Sequence, residues 1–262
     1  MNRWLLNNLS TWELGVMIVG GFVVLALAGL YVVRRWYPSL QETGENDVAG
    51  VILGVLAAIY GIVLAFVIVS LYEDFRKAGS DVRIEATALS KVYRDSRGFA
   101  PAEAAAVKTD TANYIVAVTK DEWPAMAHGR ESETTWHALD AFYTTLEDYQ
   151  PQTESQKIFY AEAVARLNDL AGAHRERLND AEESLPVTFE ILLVGGAFLL
   201  LGCTFLFGVR NRRLHATLVL AIAVLLGFNL LLALVLDYPF SGEVVVSKAP
   251  FTTGALADFR QP

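Results

Sequence analysis

The chain has 262 residues, 53% of them hydrophobic, and a formal net charge of −8. That acidic balance argues against nucleic acid as a partner, because phosphate contacts need a basic face. The single cysteine, Cys203, excludes an intramolecular disulfide and a CxxC metal site. The histidines (His128, His137, His174, His215) lack HExxH-type spacing and read as exposed or satisfied side chains. No cofactor or metal is expected.

Apolar residues concentrate at both ends of the chain and charge in the middle. Residues 1–47 hold an interfacial segment, a first span and a short loop. Trp4, Leu5, Leu6 and Trp12 stand among Asn and Ser, as suits a headgroup layer. Gly15 to Val33 is uncharged and long enough to cross a bilayer. The rival reading is a cleaved signal peptide ending near Ala26-Leu27-Ala28. The apolar run continues past that point, and only Arg3 precedes it as a positive charge. Arg34, Arg35, Trp36 and Tyr37 close the span as an anchor, and Pro38 to Asp47 is a short loop.

The second span, residues 48–73, has two unlike faces. Gly50, Gly54, Gly61 and Ala65 follow small-xxx-small spacing, which fits helix packing within one subunit or between subunits. Ile52, Leu56, Ile59, Val63, Phe66 and Ser70 lie opposite. No proline interrupts the run into residues 74–97, and Leu71, Phe75, Ala78, Val82, Ala86, Leu89 and Tyr93 keep a one-sided helical stripe along it. As one rod, about 50 residues at 1.5 Å each reach roughly 75 Å. Whether Gly79-Ser80 bends it is open at this level.

Residues 74–185 form a water-soluble helical insertion, with 13 Lys and Arg against 20 Asp and Glu. Gly98 reads as a helix stop and Pro101 as a start. Glu122-Trp123-Pro124 reads as the end of the next helix, because proline disfavours helix in the residue before it. Asp121 and Glu122, like Glu182 and Glu183, are adjacent pairs and read as solvated charge. Ser132 is placed to cap a helix through Tyr149. Thr153 and Gln156 form a capping box, and Ala163, Leu167, Leu170, His174, Leu178 and Ala181 make the stripe that follows. Arg175 and Arg177 face different sides near the end of that helix. Solvation is the plain reading for both, with an acidic neighbour for one and an ion entrance for the other as the sharper one. Four antiparallel helices projecting from the bilayer are the natural arrangement.

Residues 186–237 carry two more spans. Pro186 starts the third, with Glu190 in its first turn, and Ala216 to Leu236 is the fourth. The tail, residues 238–262, has a turn at Ser241-Gly242, a β-like run from Glu243 to Ser247 and a short helix after Pro250. The fold class is therefore an all-α integral membrane protein. Polar groups within the spans stand out because hydrocarbon offers them no water. Tyr60 and Asn229 read as interhelical hydrogen bonds or as groups lining a path, and Glu190 as a cap for its helix's first turn. The short loops carry Arg34, Arg35, Arg210, Arg212 and Arg213, so the positive-inside rule puts them in the cytoplasm and the insertion and both termini outside, periplasmic in a Gram-negative cell.

No GxSxG, P-loop or metal-ligand cluster appears, and an enzyme is not expected. Four other pieces stand out: Ala78-xxx-Val82-xx-Glu85-Ala86-xx-Leu89-xxx-Tyr93-Arg94; Tyr114-xxx-Val118-xxx-Glu122-Trp123-Pro124; Arg175-x-Arg177-Leu178 leading to Leu185-Pro186; and Leu236-Asp237-Tyr238-Pro239-Phe240-Ser241-Gly242-Glu243 with the valines after it. Together they resemble a bacterial membrane family of unknown function usually called bestrophin-like. The resemblance implies four spans with a helical insertion between the second and third. Bestrophins themselves are pentameric anion channels with span two lining the pore.

The leading expectation is accordingly a homo-oligomeric ion channel in a bacterial inner membrane. Four or five copies would enclose a path for inorganic ions, lined by Ile52, Leu56, Ile59, Val63, Phe66 and Ser70, with Arg175 and Arg177 at an entrance. The alternative is a non-conducting scaffold or sensor whose acidic insertion binds a partner or ligand.

Overall fold

A computed structural model of the chain describes residues 2–37, 46–209 and 211–259. Most of the loop expected at Pro38 to Asp47 lies outside them, as does Arg210. The regular structure among the described residues is helical, with no strand. The helices are α1 (Asn2–Asn8), α2 (Thr11–Trp36), α3 (Asn46–Asp95), α4 (Pro101–Val116), α5 (Trp123–Met126), α6 (Glu133–Glu147), α7 (Glu154–Glu182), α8 (Val187–Thr204) and α9 (Arg212–Leu236). Four apolar stretches, on α2, α3, α8 and α9, are long enough to cross a membrane.

The chain divides into two compact units, one of Met1–Glu73 with Ser184–Asp237, the other of Asp74–Glu183 with Tyr238–Pro262. In the first unit the helix starts are set by side chains. Ser10 accepts from the Glu13 N–H, and the Glu13 carboxylate accepts from the Ser10 N–H at 2.8 Å, a reciprocal cap for α2. Asn211 caps α9 by accepting from the N–H groups of Arg213 and Leu214. α2 packs chiefly on α9. Gly227 permits this, since a Cβ there would stand 2.9 Å from the Val19 Cα. Phe22 of α2 stacks on Phe198 of α8 at 5.5 Å. At the other end, Arg34 Nη2 donates to the Val209 carbonyl and to His215 Nδ1. A guanidinium only donates, so His215 accepts at Nδ1 and donates its Nε2–H to the Thr204 carbonyl.

The second unit has its own apolar core, drawn from α3, α4, α6, α7 and the tail, with Val82, Leu89, Val107, Phe142, Leu167 and Phe251 fully buried. Thr153 and Gln156 cap α7 in both directions, as their spacing predicts. Pro101 opens α4 at its first position, where a missing N–H costs nothing. Ser132 precedes α6, but its side chain makes no capping bond.

Two sequence expectations are corrected here. Glu122-Trp123-Pro124 does not end the helix. The chain runs from α4 through a π-helical turn, Ala117–Glu122, straight into α5. Pro124 falls in the first turn of α5, where its ring is tolerated. The tail forms no strand either. The Val246 N–H closes a loop onto the Pro239 carbonyl at 2.8 Å, and two 3₁₀ turns, Ala249–Thr252 and Gly254–Phe259, follow. Phe240, Val246, Phe251 and Leu256 thereby enter the second unit's core.

Candidate functional site

The membrane segment of α3 has three faces in the first unit. Tyr60, Leu64, Val67 and Leu71 are buried. Their spacing of four, three and four gathers them on one side. Ile52, Leu56, Ile59, Val63, Phe66 and Ser70 lie about 90° round the helix, taking 100° per residue. Ile52, Ile59 and Phe66, seven residues apart, are 55%, 58% and 73% exposed, while Leu56 and Val63 are half-buried. The small-residue face lies about 90° to the other side. A Cβ built on Gly54 or Gly61 would meet nothing within 4 Å, and one on Gly50 would only touch Phe207. Ala65 is exposed. α3 therefore presents one seam to its own subunit and leaves both expected functional faces open.

The seam is fixed by a polar bond. Tyr60 donates its hydroxyl to the Leu193 carbonyl of α8 at 2.8 Å, and its ring lies so close to Gly196 that a Cβ there would come within 2.5 Å. Tyr60 thus joins two helices. Asn229 does not: its amide donates to the Leu225 carbonyl of its own α9, four residues back. Glu190, half-buried in the first turn of α8, accepts from the Asn2 amide at 3.3 Å, while Pro186 holds the cap position. Below it, the buried Asp237 carboxylate accepts from the Leu185 N–H at 2.6 Å.

The second unit gathers a charged cluster with no solvent contact. Arg177 Nε and Nη2 donate to Glu85 Oε2 and Oε1, and Nη2 also donates to Glu122 Oε2 at 2.6 Å. The Tyr114 hydroxyl donates to Glu85 at 2.6 Å. His174 Nε2 meets Glu122 Oε1 at 3.1 Å, its ring stacked on Trp136. Burial would push the Glu122 carboxyl up, but the His174 hydrogen bond and the Arg177 charge outweigh it and hold it below the usual value. Burial, with the Glu85 charge beside it, drives the Tyr114 hydroxyl well up. Buried charge of this kind persists only when paired and hydrogen-bonded.

The solvated readings of Glu122 and Arg177 are thereby corrected, since both are fully buried. Arg175 is exposed, with its guanidinium 5.9 Å over the Trp136 ring. Of the two arginines only Arg175 can meet solvent. The sequence does carry a signal for the cluster. Glu85 falls between Val82 and Ala86, Glu122 follows Tyr114 and Val118 at spacings of four, and Arg177 sits between His174 and Leu178. All three charges interrupt an apolar stripe, which a solvated residue has no reason to do.

The chain matches the bestrophin-like domain over residues 20–251. No curated protein matches it. Among solved structures, it is similar to a crystallised membrane protein at TM-score 0.70 and 15% identity, over 94% of this chain and 97% of that one. A bacterial bestrophin homolog from Klebsiella pneumoniae, crystallised with one mutation, gives TM-score 0.69 and 15% identity over the same shares. A second mutant of that homolog gives 0.66 and 14%, over 94% and 98%. At such identities the likeness is one of fold.

Proposed function

The chain belongs to the bestrophin-like family, and from that membership we propose that it is one subunit of a homo-oligomeric ion channel whose pore is lined by the membrane segment of α3. The carrying observation is that α3 meets its own subunit along one seam and leaves a bulky apolar face and a small-residue face uncovered. Four or five copies arranged about an axis bring Ile52, Leu56, Ile59, Val63, Phe66 and Ser70 together as a lining. Ile52, Leu56, Ile59, Val63 and Phe66 form a constriction that closes by dewetting. Gly50, Gly54, Gly61 and Ala65 give a neighbouring helix room to approach closely.

The membrane is a bacterial inner membrane. The ends carrying Arg34, Arg35, Arg212 and Arg213 lie in the cytoplasm, and the acidic helical insertion projects as a bundle outside. Its acidity concentrates cations near the entrance, with Arg175 as the accessible counter-charge.

The test is ion flux through purified protein in liposomes. Ile59→Ser and Phe66→Ser are expected to raise flux above wild type by opening the constriction. Flux at background for wild type and both variants removes the pore assignment and favours a non-conducting scaffold.

A further inference from the structure

In the second unit an open groove of about 690 Å³ runs between α3 and α7. Its α3 rim carries Arg83 and Lys91, neither with an ion pair among the described residues, and also Asp81, which Lys77 holds at 3.2 Å. Its α7 rim carries Asp169 and Glu176. These acids make only exposed pairs, Asp169 with Arg166 at 3.0 Å and Glu176 with Lys77 at 3.7 Å. Exposed pairs are weak and exchange partners readily. Between the rims stands Ile84, 52% exposed. Gly172 also lines the groove, with nothing within 4 Å of where a Cβ would be.

We propose that this groove receives the α3 edge of a second copy of the chain, with Arg83 and Lys91 of one copy meeting Glu176 and Asp169 of the next. The proposal rests on the oligomeric reading above and adds the contact surface and its register. Charge complementarity selects the occupant. The α3 rim offers two cations without an ion pair, its one acid, Asp81, being mostly buried against Lys77, and the α7 rim offers two acids that are only loosely paired, so the groove complements its own edge.

The register follows from antiparallel counting. Within one copy, Glu85 is held beside Arg177 and Lys77 beside Asp180. Equal steps along both helices from those two contacts bracket Glu176 at the height of Arg83 and Asp169 at the height of Lys91. Arg83 and Lys91 stand about 12 Å apart along α3, and Asp169 and Glu176 about 10.5 Å apart along α7. Copies related by rotation about an axis along α3 have no axial offset. Opposite charges at equal heights and nearly equal spacing then face each other across every joint of the ring. The Arg83–Thr87 edge also bounds a second groove against the tail, so it stands as a ridge able to enter a neighbour.

The experiment uses the full chain in mild detergent and reads assembly by native mass spectrometry across a dilution series. Arg83→Glu and Glu176→Arg, each alone, place like charges in contact and weaken assembly by about tenfold or more. The double reversal restores the wild-type midpoint. The pair Lys91→Glu and Asp169→Lys repeats the test away from Lys77, should Glu176→Arg disturb folding. Single reversals that leave assembly unchanged, or double reversals no better than single ones, overturn the groove while leaving the channel reading intact. A monomeric wild type overturns both.

Discussion

Arg177 holds Glu85 through two hydrogen bonds, Nε to Oε2 at 2.5 Å and Nη2 to Oε1 at 3.0 Å, with neither side chain exposed. The planar guanidinium fits the carboxylate as a fork, and its Nη2 continues to Glu122. One cation thus ties α3 to α7 and to the π-helical turn.

Removing it leaves two buried carboxylates without their cation. Arg177→Met is expected to destabilise the protein by about 3–5 kcal/mol. Lys157→Met, which breaks the exposed pair with Glu154, is expected to cost less than about 1 kcal/mol. Thermal and denaturant unfolding of the purified chain measure both. Similar small losses for the two variants would mean that the cluster does not hold the unit together.

Stability should also depend on pH through Asp180. Burial pushes its carboxyl up from 3.8 to about 6, against the pull of Lys77 and with the help of Asp81. The folded protein therefore binds this proton more tightly than the unfolded chain does. The stability it contributes is fully present below about pH 3.8 and is lost as pH rises through about 6. Asp180→Asn should remove that downward slope from unfolding curves taken between those values. Glu122 acts with the opposite sign: its depressed carboxyl contributes above the ordinary carboxylate range, and that share is lost as pH falls through its lowered value. An unchanged slope in Asp180→Asn would remove the role given to this acid.

Two glycines test the packing within a copy against the proposed packing between copies. Gly227→Ala drives a Cβ against the Val19 backbone and should cost about 1–3 kcal/mol, as overpacking does. Gly61→Leu enters open space in a single copy. It should leave helix content unchanged and reduce assembly, read by circular dichroism and by mass in detergent. Loss of helix content in Gly61→Leu would place that residue inside the subunit's own packing.

Much of this was legible in the sequence where a local rule is strong. Thr153 and Gln156 cap α7 because a hydroxyl and an amide three residues apart reach each other's backbone N–H. Charge-free runs marked the apolar stretches of α2, α3, α8 and α9, because hydrocarbon thickness sets a minimum length. Gly79 and Ser80 do not break α3, which is a single helix from Asn46 to Asp95.

What was not legible depends on contacts distant in sequence. The π-helical turn that carries the chain past Trp123-Pro124 places Glu122 against His174 and Arg177, more than fifty residues away. No local propensity encodes such a turn. The valines after Glu243 have strand-like character, yet the described residues offer them no extended neighbour, and Val246 packs into a helical core instead.

The most direct test of the central claim is a symmetry determination by electron-microscopy class averages of the full chain in lipid nanodiscs. A closed ring of four or five copies is expected, with the membrane segment of α3 innermost and the face of Ile52, Ile59 and Phe66 turned to the axis. Particles of one or two copies, or a ring with α3 at its lipid-facing rim, would contradict it.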